Sequence, residues 1–356
     1  VTSFSAFDHA MMRRALALAE RGLYTTTPNP RVGCVLTQGE RIVGEGWHEK
    51  AGAPHAEALA LAAAGGAARG ATAYVTLEPC NHCGRTPPCA DALAAGGVAR
   101  VVAAMRDPNP EAARGAERLA AAGVRFEQGL LEDEARELNI GFVSRVTRGR
   151  PWVRMKIAAT LDGRTALASG KSQWITGADA RRDGHRWRAR ACALLTGIGT
   201  VRADDPRLTV REVDTPRQPL RVLVDSRLET PRGARILQGG NVLVFYGATG
   251  NEPPQGAEAI ALPDARGKVD LRAMLAELAR RGVNELHVEA GFKLNGSLLR
   301  ERCVDELLIY LAPSILGDAA QGMFDLPAMA ALDERVRLTL RSVDRIGTDL
   351  RILARL

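Results

Sequence analysis

Pro54-His55-Ala56-Glu57 opens the stretch that decides the fold, and Glu78-Pro79-Cys80-Asn81-His82-Cys83-Gly84-Arg85-Thr86-Pro87-Pro88-Cys89 closes it. One histidine and one acid stand almost together, and three cysteines gather further along. Imidazole and thiolates suit Zn2+, and a set of three leaves a fourth position for a water whose pKa falls to about 7. An acid beside the histidine supplies a proton carrier for such a site. Residues two apart do not share a face of a regular helix, so His55 and Glu57 converge only where a helix is starting. Pro54 provides that start, residues 58–64 continue it, and Pro87-Pro88 opens another helix just before Cys89. Cysteines at helix starts are biased toward thiolate, the form a metal binds.

A histidine, a nearby glutamate and later cysteines after a proline form the signature of zinc deaminases, in which one His and two Cys hold the metal while the acid moves protons. Cys80 and Cys83 satisfy the Cys-x-x-Cys spacing of that signature. The run GRTPPC closing on Cys89 resembles the deaminase half of the bacterial bifunctional deaminase-reductases of riboflavin biosynthesis, whose metal cysteines flank GRTPP. The resemblance implies His55, Cys80 and Cys89 as zinc ligands and Glu57 as the catalytic proton carrier. Cys83 stands where the family is expected to carry another residue, so Cys80 with Cys83 stays an alternative. A closed structural site of three thiols plus His55 or His82 is another, although it has no use for Glu57.

A chain of 356 residues fits two domains. Its 46% hydrophobic content is enough for ordinary cores, and no apolar run approaches the roughly eighteen residues of a membrane span. Residues 1–6 are polar, with no basic region leading into an apolar one, so a cytoplasmic protein without a membrane partner is expected. Cys34, Cys192 and Cys303 lie in apolar stretches and are expected to be buried free thiols. The net charge of +7 comes with only 4% aromatic residues. Stacking platforms for nucleic acid are therefore missing, and anionic small ligands are the expected partners.

The first half alternates helices and strands. A helix spans 7–22, and the stiff run Thr27-Pro28-Asn29-Pro30-Arg31-Val32-Gly33 leads into strands at 32–37 and 42–47 across a Gln38-Gly39 turn. A strand at 71–77, a helix at 89–95, a strand at 98–105, a helix at 111–122, a strand at 124–128 and a helix from 132 follow. This pattern is α/β with a largely parallel portion, and Asp107-Pro108-Asn109-Pro110 turns near the rim that holds the metal. The charged, Gly- and Pro-bearing connector at 145–151 separates domains at 1–147 and 148–356.

The second half carries strands at 152–158, 193–196, 220–225, 241–246, 285–289 and 306–311, and two near the C-terminus. It also carries a hairpin at 161–166, helices at 178–189 and 271–281, and a mobile surface loop at 250–268. No GxGxxG follows its first strand, so a standard Rossmann site is unsupported. Gly197-Ile198-Gly199-Thr200 and Glu289-Ala290-Gly291-Phe292-Lys293-Leu294-Asn295-Gly296-Ser297 each follow a strand, where glycine and free amides admit a phosphate.

Together with Leu161-Asp162-Gly163-Arg164, Ser172-Gln173-Trp174-Ile175-Thr176 and residues 203–211, these strings resemble the reductase half of the same family. The resemblance runs in order along nearly the whole chain. It implies an α/β protein with an N-terminal cytidine-deaminase-like three-layer domain and a C-terminal dihydrofolate-reductase-like domain. It further implies that Ala158, Trp174, Thr200, Asp204, Ser226 and the loop Gly291, Phe292, Lys293, Leu294, Asn295, Gly296 and Ser297 border NADPH. Ser172, Arg188, Leu208, Arg211 and Glu289 would border the sugar phosphate, and Asn29 the deaminase pocket. The residues agree in part: Arg188 and Arg211 suit bidentate phosphate contacts, and Ser226-Arg227 suits the 2′-phosphate of NADPH. Lys156, charged on an apolar strand, marks a site rather than a snorkelling edge and is a catalytic candidate.

The function implied is a two-step one. Zinc-dependent hydrolytic deamination of a phosphoribosylamino-pyrimidine is followed by NADPH-dependent reduction of its ribosyl chain. The alternatives are a nucleic-acid base deaminase with an accessory domain, or a zinc-stabilised binding module without turnover. The expected assembly is a homo-oligomer.

Overall fold

The computed structural model describes residues 4–81 and 87–356. His82, Cys83, Gly84, Arg85 and Thr86 lie outside the described residues, and so does the Cys80–Cys83 alternative. The chain divides into two compact units, Val1–Gly149 and Arg150–Leu356.

The first unit runs α1 (Ala6–Glu20), β1 (Gly33–Gln38), β2 (Arg41–Trp47), α2 (Ala56–Ala64), β3 (Thr72–Val75), α3 (Cys89–Ala95), β4 (Arg100–Ala103), α4 (Gly115–Ala121), β5 (Arg125–Gln128), α5 (Glu132–Leu138) and α6 (Ile140–Arg148). A capping box between Ser5 and Asp8 fixes the first helix start. The sheet order is β2-β1-β3-β4-β5. β1 is antiparallel to both neighbours, and β3, β4 and β5 are parallel.

Two glycines let helices lie close on opposite faces of this sheet. A Cβ on Gly33 would fall 2.0 Å from the Ala15 carbonyl oxygen of α1, and one on Gly46 would fall 2.3 Å from the Ala56 oxygen of α2. Gly46 pairs with Cys34, the neighbour of Gly33 along β1, so the two positions face opposite ways. The result is three layers, with α2, the helix that carries Glu57, pressed against β2. Leu36, Val75, Leu93 and Val101 are among the fully buried side chains of its core.

The helix expected at 111–122 starts only at Gly115. The Glu78 carboxylate accepts the Ala116 amide at 3.0 Å. Gly115 sits where a Cβ would be 1.8 Å from the Pro79 carbonyl oxygen. Contacts with the cysteine-bearing loop, rather than local propensity, set that helix start.

The second unit runs β6 (Trp152–Thr160), β7 (Arg164–Ala166), α7 (Ala178–Arg190), β8 (Ala193–Gly197), α8 (Ile198–Asp204), β9 (Leu220–Val224), β10 (Val242–Tyr246), β11 (Glu258–Ala261), α9 (Leu271–Arg280), β12 (Glu285–Val288), α10 (Phe292–Arg300), β13 (Glu306–Ala312), β14 (Gln321–Gly322), β15 (Thr339–Ile346) and β16 (Asp349–Arg355). Nine strands form one sheet in the order β11-β10-β9-β8-β12-β6-β13-β16-β15. Strands β11 through β13 are parallel, and β16 and β15 extend the sheet antiparallel.

Four local expectations change. The hairpin expected at 161–166 is absent, because β7 leaves the large sheet and pairs with β14. The loop expected at 250–268 contains β11, which gains ladder bonds from β10. Thr200 and Asp204 lie on the helix α8, and Phe292 to Ser297 are the first turns of α10 rather than a loop, with Gly291 as its extended N-cap.

Replacing Gly46 by valine forces α2 off the sheet. Chemical denaturation should show a loss of about 1–3 kcal/mol, the usual cost of overpacking.

Candidate active sites

His55 is the N-cap of α2, with extended backbone (φ −74°, ψ 162°), and Glu57 lies in the first turn. That break in helical geometry lets both side chains point the same way. Cys80 follows β3 through the Glu78-Pro79 bend, and Cys89 is the first residue of α3. His55 Nδ1 is 3.2 Å from Cys89 Sγ and 3.7 Å from Cys80 Sγ. All three ligand atoms lie within 4.8 Å of one another.

The chemistry of these donors fits zinc. The Cys89 backbone amide donates to Cys80 Sγ at 3.4 Å. Cys80 is pushed down to about 4, chiefly by the Cys89 thiol and the His55 ring, despite burial. Cys89 is pushed far up by the Cys80 thiolate beside it and by burial. Two thiols in contact do not both ionise unless a cation lies between them, and a divalent metal meets that demand. Among the described residues three ligands meet there, the number found in catalytic rather than structural zinc sites. Burial pushes the Glu57 carboxyl up to about 7, where it can both take and give a proton.

Two further residues, missed in the sequence, hold this group in place. His48, at the end of β2, is buried, and its ring packs edge-on against His55 with centroids 5.4 Å apart. Its Nδ1 is 3.1 Å from the Pro54 carbonyl oxygen, and its Nε2 is 3.1 Å from Asn29 Nδ2. Burial holds this histidine below its ordinary pKa. A neutral ring then donates from Nδ1 and accepts the Asn29 amide at Nε2. Asn29 is thus joined to the metal cluster through His48. The one signal in the sequence was a histidine in the Gly-Trp-His run of a chain with only six.

Glu78 is the other. Its carboxylate accepts the amides of Ala116 and Asp107, at 3.0 and 3.3 Å, from either side of the Asp107–Pro110 turn. The Asn81 amide donates to Ala112 O at 2.9 Å, and Ala112 packs against Cys80 and Cys89.

In the second unit the parallel strands end on one rim, where open α/β sheets place ligands. Ala158, Gly197, Ser226 and Glu289 all lie at C-terminal strand ends there. The Glu289 carboxylate accepts from Arg188 Nε and, at 2.8 Å, from Arg188 Nη2, and lies 4.0 Å from Lys156 Nζ. Arg188 and Lys156 hold this carboxyl well below its usual range in spite of burial. Burial lowers Lys156. Ser172 donates to Asp204 at 3.2 Å. A Cβ on Gly291 would lie 3.7 Å from Thr200 Oγ1, and one on Gly197 would lie 3.0 Å from Leu294 Cδ2, so the two glycine-bearing segments adjoin.

Asn295, Gly296, Ser297 and Trp174 have the following surroundings. Asn295 is buried and donates to Met323 O at 3.4 Å, and Gly296 lies against the Asp325 backbone. Ser297 bonds back to Lys293 O. Trp174 is 71% exposed, with the Arg181 guanidinium over its ring at 4.7 Å.

Residues 5–105 match the cytidine and deoxycytidylate deaminase zinc-binding region, and residues 151–352 match the RibD C-terminal domain. The riboflavin biosynthesis protein RibD of Escherichia coli K12 is 46% identical over 96% of this chain and 98% of its own. The chain belongs to the RibD family of riboflavin biosynthesis proteins. The solved structure of Acinetobacter baumannii RibD superposes with a TM-score of 0.91 at 42% identity, covering 98% of both chains. A diaminohydroxyphosphoribosylaminopyrimidine deaminase/5-amino-6-(5-phosphoribosylamino)uracil reductase from Thermotoga maritima gives 0.89 at 34% identity, again over 98% of both. The chain is therefore a bifunctional deaminase and reductase of riboflavin biosynthesis, cytidine-deaminase-like in its first domain and dihydrofolate-reductase-like in its second. Its cofactors are Zn2+ and NADPH.

Because Glu78 ties the Cys80 bend to two neighbouring turns, Glu78→Ala should weaken zinc binding on the order of tenfold, as outer supports of metal ligands do. Competition with a chromogenic chelator measures this.

Proposed function

We propose that the first domain, residues 1–147, deaminates 2,5-diamino-6-(5-phosphoribosylamino)pyrimidin-4-one and that the second, residues 148–356, reduces the ribosyl chain of the product to ribityl. The observation that carries the first step is a buried glutamate, Glu57, among the three clustered donors His55, Cys80 and Cys89. These donors would hold the zinc, which when bound supplies an activated water. Glu57 takes a proton from the attacking water and passes it to the amino group at C2, so that ammonia departs and a carbonyl remains. Asn29, fixed by His48, borders the ring.

In the second step the bound NADPH would be the source of the hydride that C1′ of the opened sugar needs. Lys156, half-buried and incompletely paired with Glu289, gives the proton that the sugar oxygen needs. Arg188, Arg211, Ser172, Leu208 and Glu289 hold the sugar phosphate. Ala158, Trp174, Thr200, Asp204, Ser226 and the segment from Gly291 to Ser297 hold the cofactor. Both ligands are anionic, which suits a chain of net charge +7.

No helix among the described residues is long and apolar enough to cross a membrane, and the proposed location is the cytoplasm. β15, the outermost strand of the large sheet, exposes Leu340 and Val343. An apolar free edge of this kind calls for a partner, and a second copy of the chain is the proposed one.

Glu57→Gln should cut ammonia release by about 10²- to 10⁴-fold while zinc content and NADPH oxidation on the deaminated substrate persist. Loss of both activities together, or of neither, would refute the assignment. Metal analysis of two serine variants tests the ligand set: Cys89→Ser should lose zinc and Cys83→Ser should keep it.

A further inference from the structure

Residues 208–211 belong to no strand of the sheet. Their backbone groups are met by side chains instead. Gln218 brackets Val210, its Oε1 accepting the amide at 2.8 Å and its Nε2 donating to the carbonyl oxygen at 3.0 Å. From α7, Arg188 Nη1 donates to Thr209 O at 3.0 Å, and the Arg211 amide donates to His185 Nδ1 at 3.2 Å. His185 and Arg188 stand three residues apart and so share one face of α7. That face holds the segment through these two side-chain bonds. The grip begins where Leu208 takes a left-handed conformation (φ 51°), a costly one for a leucine.

The gripped segment carries Arg211, which is held below its ordinary pKa first by burial and then by the charges of Arg188, Arg207 and Arg235, with Glu212 opposing. Like charges gather in this way where an anion is to be received. Resting on the assignment of Arg188 and Arg211 to the sugar phosphate, we propose that His185 is a positioning residue for substrate. By taking the Arg211 amide, it sets the Arg211 guanidinium beside that of Arg188.

The role needs a free lone pair on Nδ1. His185 is 5% exposed, and burial together with Arg188 and Arg211 pushes it down to about 4. The ring is therefore neutral at working pH and can accept. Phenylalanine keeps the ring's bulk and loses the acceptor, whereas asparagine places an oxygen close to where Nδ1 lies.

The experiment is steady-state reduction of the deaminated phosphoribosylamino substrate by the full chain. His185→Phe should raise KM for that substrate about tenfold or more, as small misplacements of a binding group do. KM for NADPH and kcat should change little, and inorganic phosphate should inhibit correspondingly more weakly. His185→Asn should recover most of the loss. In an Arg211→Ala background, His185→Phe should add nothing, since it acts through Arg211. The inference fails if kcat falls while KM holds, if His185→Asn is no better than His185→Phe, or if the two substitutions multiply. Arg211→Ala without effect on KM would instead sink the phosphate assignment itself. Should His185→Phe not fold, the comparison of His185→Asn with wild type for inhibition by phosphate carries the test: a change above tenfold overturns it.

Discussion

Taking a carboxylate out of water is the constraint on which both domains depend. A buried carboxylate must either find a cation or hold on to its proton, and each domain's site uses a different outcome. Burial, with His55, Cys80 and Cys89 as the neighbouring groups, pushes the Glu57 carboxyl up to about 7. Glu289, largely enclosed, is gripped by Arg188 with Lys156 behind, and stays ionised. The same side chain is thereby a proton carrier in one domain and a fixed anion in the other. Neighbouring charge, not residue type, makes the difference.

A proton carrier is useful only if its neighbours are held to a fraction of an ångström, and much of the first domain serves that end. Gly46 brings α2 onto the sheet, His48 takes the Pro54 carbonyl, and Glu78 with Gly115 fixes the bend before Cys80. None of these groups needs to touch substrate. They set where His55, Cys80 and Cys89 stand before any ligand arrives, the preorganisation that makes electrostatic sites effective.

The second domain solves a comparable problem with arginine. Arg154, almost wholly buried, is paired with Glu285 and Glu306 at the base of the sheet, and Arg188 is paired with Glu289 nearer the rim. Glu285 and His287 of β12, and Glu289 just past its end, alternate toward one face, so a polar row runs under α7 from the sheet's base toward its ligand-bearing edge. Strand periodicity alone marks these positions as one-sided, but it does not say that the facing helix answers them with Arg188 and Arg190.

Motif residues and regular elements were legible in the sequence. His55, Glu57 and the cysteine cluster announce themselves by type and spacing, the choice of Cys89 within that cluster comes from the family resemblance, and α3 falls where Pro87-Pro88 places it. β11 was hidden, because a short edge strand amid Pro and Gly looks like a loop until β10 pairs with it. The start of α4 was hidden too, being set by Glu78 and Pro79 far back in the chain. His48 and His185 were passed over because a lone histidine carries no local pattern. Composition and spacing by themselves determined the two-domain α/β organisation and the chemistry of the metal donors, since both follow from short-range periodicity and from what each side chain can ligate. Only the tertiary structure decided which histidine backs which ligand and which glutamate keeps its proton, because those outcomes depend on distances and burial between segments that the chain itself keeps far apart.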